Sequence, residues 1–159
     1  MNAPETDHLK SARIPPQPIS KEDILKIYAD GASRKNPGPS AYAFIFVKGE
    51  EIIHSESKFL GNATNNIAEY KAAIEALEKA VEYTRWEVEV YSDSELLVNQ
   101  MNGAWRIKKK HLKELYDQIK QPKERFKQVT FYHLPRENKF IKEADRLCSE
   151  CLDKNLRQV

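Results

Sequence analysis

The sequence predicts an α/β fold, a mixed five-stranded sheet flanked by helices. An antiparallel three-strand meander forms one part of that sheet, and two parallel strands form the rest. Three observations predict it. A short, dense apolar run, Ile24 to Ala29, is followed by two more strand-like runs joined by a tight turn. An amphipathic segment comes next, with apolar residues three and four apart. A further apolar run follows that helix. A strand–helix–strand passage of this kind implies a right-handed crossover and parallel pairing.

The elements follow in order. Ile24, Leu25, Ile27, Tyr28 and Ala29 read as a strand buried on both faces. The segment Arg34-Lys35-Asn36-Pro37-Gly38-Pro39 is rich in turn residues. Tyr42 to Val47 and Glu51 to Leu60 read as strands, with Lys48-Gly49-Glu50 as the hairpin loop between them. Thr64, Asn65 and Asn66 offer N-cap side chains for the first helix. Its apolar stripe is Ile67, Tyr70, Ile74, Leu77 and Val81, while Lys71, Glu75 and Lys79 form a solvated face. Trp86 to Tyr91 is the fourth strand, and Val129 to Leu134 the fifth. Helices are expected over Ser94–Met101, Leu112–Ile119 and about Phe140–Leu152.

A chain of 159 residues suits one domain with a proper core. Residues 1–22, proline-rich and without apolar periodicity, are expected to be a flexible leader. The domain is expected over 23–155 and a short tail over 156–159. Net charge is only +2, so composition alone does not mark a nucleic-acid binder. No apolar run nears the roughly 20 residues needed to span a bilayer, and no signal-like core opens the chain. A cytoplasmic protein with no membrane partner is therefore expected. Cys148 and Cys151 lack the second half of a zinc site, and they read as small core residues on one helix face.

Four acidic residues stand in four distinct settings. Asp30 ends the first apolar run, and Asp93 ends the fourth strand's run. Glu69 lies one turn into the first helix, beside Ala73, Ala76 and Ala80, where small side chains let a helix approach a sheet. Asp145 lies in the last helix. Singly, Asp30 and Asp93 would be a turn residue and a helix N-cap. If their strands are parallel neighbours, however, their carboxyl ends meet, where ligands of α/β sheets bind. Two carboxylates so close do not both stay ionised cheaply without a cation. Magnesium, with its preference for hard oxygen ligands, resolves that conflict. Paired metal ions are the usual means of cutting phosphodiesters.

The wording around these residues resembles a known family. YADGASRKNPGPSAYAF, TNNIAEYKAAIEAL and VYSDSELLVNQMNG are similar to the first-strand, first-helix and second-aspartate motifs of type 1 ribonucleases H. The three occur in the family's order, and the resemblance spans about Ile24 to Leu152. It implies the ribonuclease H-like fold, and an endoribonuclease that cuts the RNA strand of RNA–DNA hybrids. It also implies two bound Mg2+ ions, with Mn2+ able to substitute. By position the metal ligands and catalytic carboxylates are Asp30, Glu69, Asp93 and Asp145. Asp30 would bridge both ions, Glu69 and Asp93 would complete one site, and Asp145 the other. The products would carry a 5′-phosphate and a 3′-hydroxyl.

HLPRENKFIKEADRL resembles the family's closing segment, but Ile141 stands where an Asn is usual. Glu143 and Glu137 are the substitutes if Asp145 is only a surface residue. A loop histidine of the family has no clear counterpart, since His133 falls at a strand end. Arg136 is assigned that catalytic role instead, with a structural ion pair as its alternative. The resemblance implies substrate contacts from Asn36, Thr64, Asn65 and Asn66. Glu95 stands where some members have Gln. Arg106, Lys108, Lys109, Lys110 and Lys113 form a dense basic cluster beside Trp105, suited to a nucleic-acid backbone. Trp105, Lys108 and Lys109 are taken as its hybrid contacts. The segment is shorter than the extended basic handle of some members. A monomer acting on an RNA–DNA hybrid is expected. The alternatives are a non-catalytic hybrid-binding module and a DNA-directed nuclease or integrase of the same fold.

Overall fold

In the computed structural model, which describes residues 15–157, the first three strands form the expected antiparallel meander. They are β1 (Leu25–Ser33), β2 (Gly38–Lys48) and β3 (Glu51–Ala63). Helix α1 (Asn65–Ala80) crosses to β4 (Glu87–Ser92). Helices α2 (Glu95–Met101) and α3 (Lys110–Lys123) lead to β5 (Gln128–His133), and α4 (Lys139–Leu156) closes the domain. The sheet order is β3-β2-β1-β4-β5, with β1, β4 and β5 parallel. Residues 1–14 of the expected leader and 158–159 of the expected tail lie outside the described residues. Within the expected leader, the Ile19 N–H donates to the Tyr83 carbonyl at 2.8 Å. Residue 156 still belongs to α4.

Strand alternation sorts the core onto two faces. Leu25, Ile27 and Ala29 of β1, with Tyr42, Phe44 and Phe46 of β2, meet α1, α2 and α3. Tyr28, Ile45 and Val47 point the other way, onto Phe140 and Ile141 of α4. Ala41 and Ala43 lie on that side too, and their small side chains admit Cys148 and Leu152. The Cys148 thiol donates to the Ala41 carbonyl at 3.2 Å. Cys148 is thus a core residue, and Cys151 beside it is half-buried. Among the described residues, no helix is long and apolar enough to cross a membrane.

One expectation needs correcting. Asp30 does not end its strand. Parallel pairing of β1 with β4 stops at Tyr28↔Tyr91, but β1 runs on to Ser33 because β2 still supplies ladder hydrogen bonds. Asp30 sits inside that extension, opposite Ala43. Asp93 lies one residue past β4. Each aspartate is two residues beyond the last parallel pair. They therefore share a face and a level even though only one of them stands at a strand end.

Gly31 decides how close α1 comes. A Cβ added there would lie 2.3 Å from the Ala68 carbonyl carbon and 2.5 Å from the Glu69 nitrogen. Those atoms are helix backbone and cannot turn aside. We predict that Gly31→Ala pushes α1 off the sheet and costs ~3 kcal/mol, the upper part of the usual overpacking range. Urea unfolding reads this directly, and an unchanged midpoint would refute it.

Candidate active site

The carboxylates converge where β1, α1, β4 and α4 meet. Thr64 caps α1, accepting a hydrogen bond from the Ile67 N–H at 3.2 Å. The helix start so placed brings Glu69 over Gly31, whose N–H donates to Glu69 Oε1 at 3.0 Å. Ser92 and Ser94 hold the turn around Asp93. Ser92 Oγ accepts from the Ser94 N–H at 3.0 Å, and Ser94 Oγ caps α2 by accepting from the Leu97 N–H at 3.1 Å. Asp30, Glu69 and Asp93 each offer an oxygen within 4.8 Å of the others. Asp145 is exposed on α4 and stands outside that group of three, but its charge bears on Asp30.

Asp30 is only 5% exposed. Burial, then the Asp93 and Asp145 charges, raise its pKa from 3.8 to about 8. Burial, followed by the Asp30 and Asp93 charges, raises Glu69 well above its ordinary value. The Gly31 N–H and the positive Arg136 partly counter this at Glu69. Such a set of hard oxygens, crowded and mutually repelling, fits a small divalent cation.

Other expected residues divide into two patches. Asn36 Oδ1 accepts from the Asn65 N–H at 2.8 Å, and Asn65 Oδ1 accepts from the Ser33 N–H at 2.7 Å. The β1–β2 turn and the start of α1, with Thr64, are thereby locked together. Asn66 instead lines a cavity of about 630 Å³ with Trp105, Lys108 and Lys109. Arg106 lines it as well. Lys113 pairs with Asp117 at 3.0 Å.

Arg136 lies beside the carboxylates, its Nε 3.7 Å from Asp93 Oδ2, and its side chain is 79% exposed. His133 ends β5 and is exposed. Asn138 caps α4, accepting from the Phe140 and Ile141 N–H groups at 2.9 and 3.1 Å. Ile141, in the place of the family's usual Asn, is fully buried in the core. Glu143 is engaged by Arg146 at 2.8 Å, and Glu137 is exposed. Asp145 is exposed on α4, and its charge acts on Asp30. Sequence reasoning missed the Gly31 N–H as a ligand of Glu69, and it missed Tyr70 and Gln100 behind the basic loop. No local motif marks a backbone donor or a buried amide.

Residues 28–151 match the model of a family described as reverse transcriptase-like. A ribonuclease HI of Halobacterium salinarum is 38% identical over 127 residues, covering 79% of this chain and 63% of that protein. The structure of RNase H1 from that archaeon superposes with a TM-score of 0.78 at 35% identity, covering 82% of this chain and 98% of the other. LC11-RNase H1, solved in complex with an RNA/DNA hybrid, gives 0.77 at 40% identity, over 83% and 99% of the two chains. The chain belongs to the type 1 ribonuclease H family. A bifunctional protein of Mycobacterium tuberculosis is 39% identical over 129 residues, but this chain spans only 35% of its length. The ribonuclease H-like sheet expected from the sequence is the one observed.

The raised carboxylates have a consequence for pH. A group whose pKa is raised by folding favours the folded state when protonated. That contribution is complete below 3.8 and is lost as pH climbs through about 8 for Asp30. A divalent cation opposes the loss only where the carboxylates are ionised. Melting temperature at pH 8 is expected to rise by about 5–10 °C with Mg2+ or Mn2+ at ~100-fold above Kd. At pH 5 the same concentration should give a smaller rise. Equal shifts at both pH values would contradict the carboxylate site.

Proposed function

We propose that this chain is an endoribonuclease that hydrolyses the RNA strand of RNA–DNA hybrids, leaving 5′-phosphate and 3′-hydroxyl ends. The observation that carries the reading is the meeting of Asp30, Glu69 and Asp93 within 4.8 Å. Asp30, Glu69, Asp93 and Asp145 hold two divalent cations, Mg2+ with Mn2+ as a substitute. Such cations, when bound, supply a water of lowered pKa and neutralise charge on the phosphoryl and departing oxygens.

The protein's own groups orient and select. The Gly31 N–H fixes Glu69 so that its carboxylate cannot swing out of the cleft. Asn36 and Asn65 spend their Oδ1 atoms on backbone N–H groups. Each then presents its Nδ2 as a donor to the RNA sugar–phosphate backbone, where the 2′-hydroxyl distinguishes RNA from DNA. Thr64 and Asn66 extend this surface along the first turn of α1. Trp105, Lys108 and Lys109 take the DNA strand by stacking on sugars and by charge. Arg136, exposed beside Asp93, meets the scissile phosphate. These are backbone and minor-groove contacts, so sequence preference is weak. The proposed state is a monomer, and the proposed setting is the cytoplasm.

The test is a hybrid labelled on each strand in turn. Wild type should cut only the RNA strand, and chelator should abolish cutting. Asp93→Asn should lower kcat by roughly 10³-fold, as expected for loss of several kcal/mol of charge stabilisation. Binding of the hybrid without any cutting would favour a non-catalytic module, and cutting of plain duplex DNA a DNA-directed nuclease. In a separate assay, Lys108→Ala and Lys109→Ala should each flatten the slope of log Kd against log salt by about 1. Slopes equal to wild type would remove these lysines from the interface.

A further inference from the structure

The basic loop between α2 and α3 has a buried support. Gln100, in the last turn of α2, is 5% exposed. Its Oε1 accepts from the Tyr70 hydroxyl of α1 at 2.6 Å, and its Nε2 donates to the Arg106 carbonyl at 3.4 Å. Tyr70 is fully buried. Both ends of the amide are therefore spent inside the protein, one on α1 and one on the loop.

The loop is otherwise fixed mainly at its two ends. At its start the Ala104 and Trp105 N–H groups donate to the Asn99 carbonyl at 2.8 and 3.1 Å, and Asn102 Nδ2 donates to the Phe131 carbonyl. At its finish the Lys109 carbonyl accepts from the Leu112 and Lys113 N–H groups. Between these ends, Ile107 packs on the core and the Arg106 carbonyl rests on Gln100. Arg106 and Lys108 flank Ile107 and are both exposed. Gln100 also lines the cavity whose rim carries Asn66, Trp105, Arg106, Lys108 and Lys109. An amide that binds no solvent-facing partner, beneath a cavity with a cationic rim, has the geometry of a strut.

We infer that Gln100, backed by Tyr70, is a positioning residue that holds the Trp105–Lys109 loop at the height where its cations and ring grip the DNA strand. This rests on the hybrid-binding reading above. Glu69 and Tyr70 are consecutive on α1, so their side chains leave the helix about 100° apart. One fixes the carboxylate cluster and the other, through Gln100, fixes the basic loop. The helix thus sets the spacing between the cut and the grip. Loss of the strut costs affinity and leaves the chemistry intact.

The experiment uses the full chain and a defined RNA–DNA hybrid. Gln100→Met keeps volume and removes both hydrogen bonds, while Tyr70→Phe removes one and spares the fold if the first variant is unstable. KM is expected to rise about fivefold to tenfold in Gln100→Met and less in Tyr70→Phe, with kcat within twofold of wild type. The double variant should resemble Gln100→Met alone, because both changes break one relay. Amide hydrogen exchange should quicken at residues 105–109 and not in α1 or β4. This readout needs no substrate, so it stands even if the chain proves not to cut hybrids. Unchanged exchange in a folded Gln100→Met variant would overturn the strut. So would a fall in kcat at constant KM, or full additivity of the two changes.

Discussion

Gly31 has no side chain, and the backbone of α1 occupies the space where one would be. This contact ties the central strand to the first helix at van der Waals distance. It also leaves the Gly31 N–H, freed on that side of the strand, aimed at Glu69 Oε1. One missing methyl group thereby sets two things at once. It fixes the height of α1 above the sheet, and it fixes the position of a carboxylate that comes from the opposite face to Asp30. The register of β1 against β4 supplies the remaining alignment, carrying Asp93 to the level of Asp30.

Bringing these groups together works against the stability of the ion-free protein. Desolvation and like charge both raise the Asp30 and Glu69 pKa values, so ionising this buried group costs free energy in the absence of a cation. The fold carries this local cost because its two cores are extensive and apolar. Aromatic side chains of β2 fill one face, and small alanines on the other admit α4. Exposed ion pairs such as Arg146–Glu143 add little, since solvent screens them. A site of this kind is built as a destabilised element within a stable frame, and a cation relieves it.

Helix α1 joins the two halves of the function. Its N-terminus meets the β1–β2 turn through Asn36 and Asn65. Its next turn carries Glu69 to the carboxylates and Tyr70 to the support of the basic loop. The loop between α2 and α3 is short, and its Arg106 carbonyl rests on Gln100.

Much of this was readable in the linear order of residues. The meander, the crossover, the cap at Thr64 and the candidate carboxylates follow from patterns within a few residues of one another, whereas the cap of α2 proved to be Ser94 and not Asp93. Local propensity and periodicity act at that range. Strand ends were less legible. The run at Ile24–Ala29 suggested that Asp30 ended its strand, yet β2 prolongs β1 to Ser33, and pairing partners are not local. Ile141 departs from the family's pattern, and its burial between α4 and the sheet shows a core role that the motif alone did not reveal. The sequence by itself determined which residue types were available and on which elements they would ride. Only the tertiary structure decided that Gly31 would hold Glu69 and that Tyr70 would meet Gln100 beneath the basic loop. Each of these joins groups dozens of residues apart, whose meeting is set by how closely the elements pack.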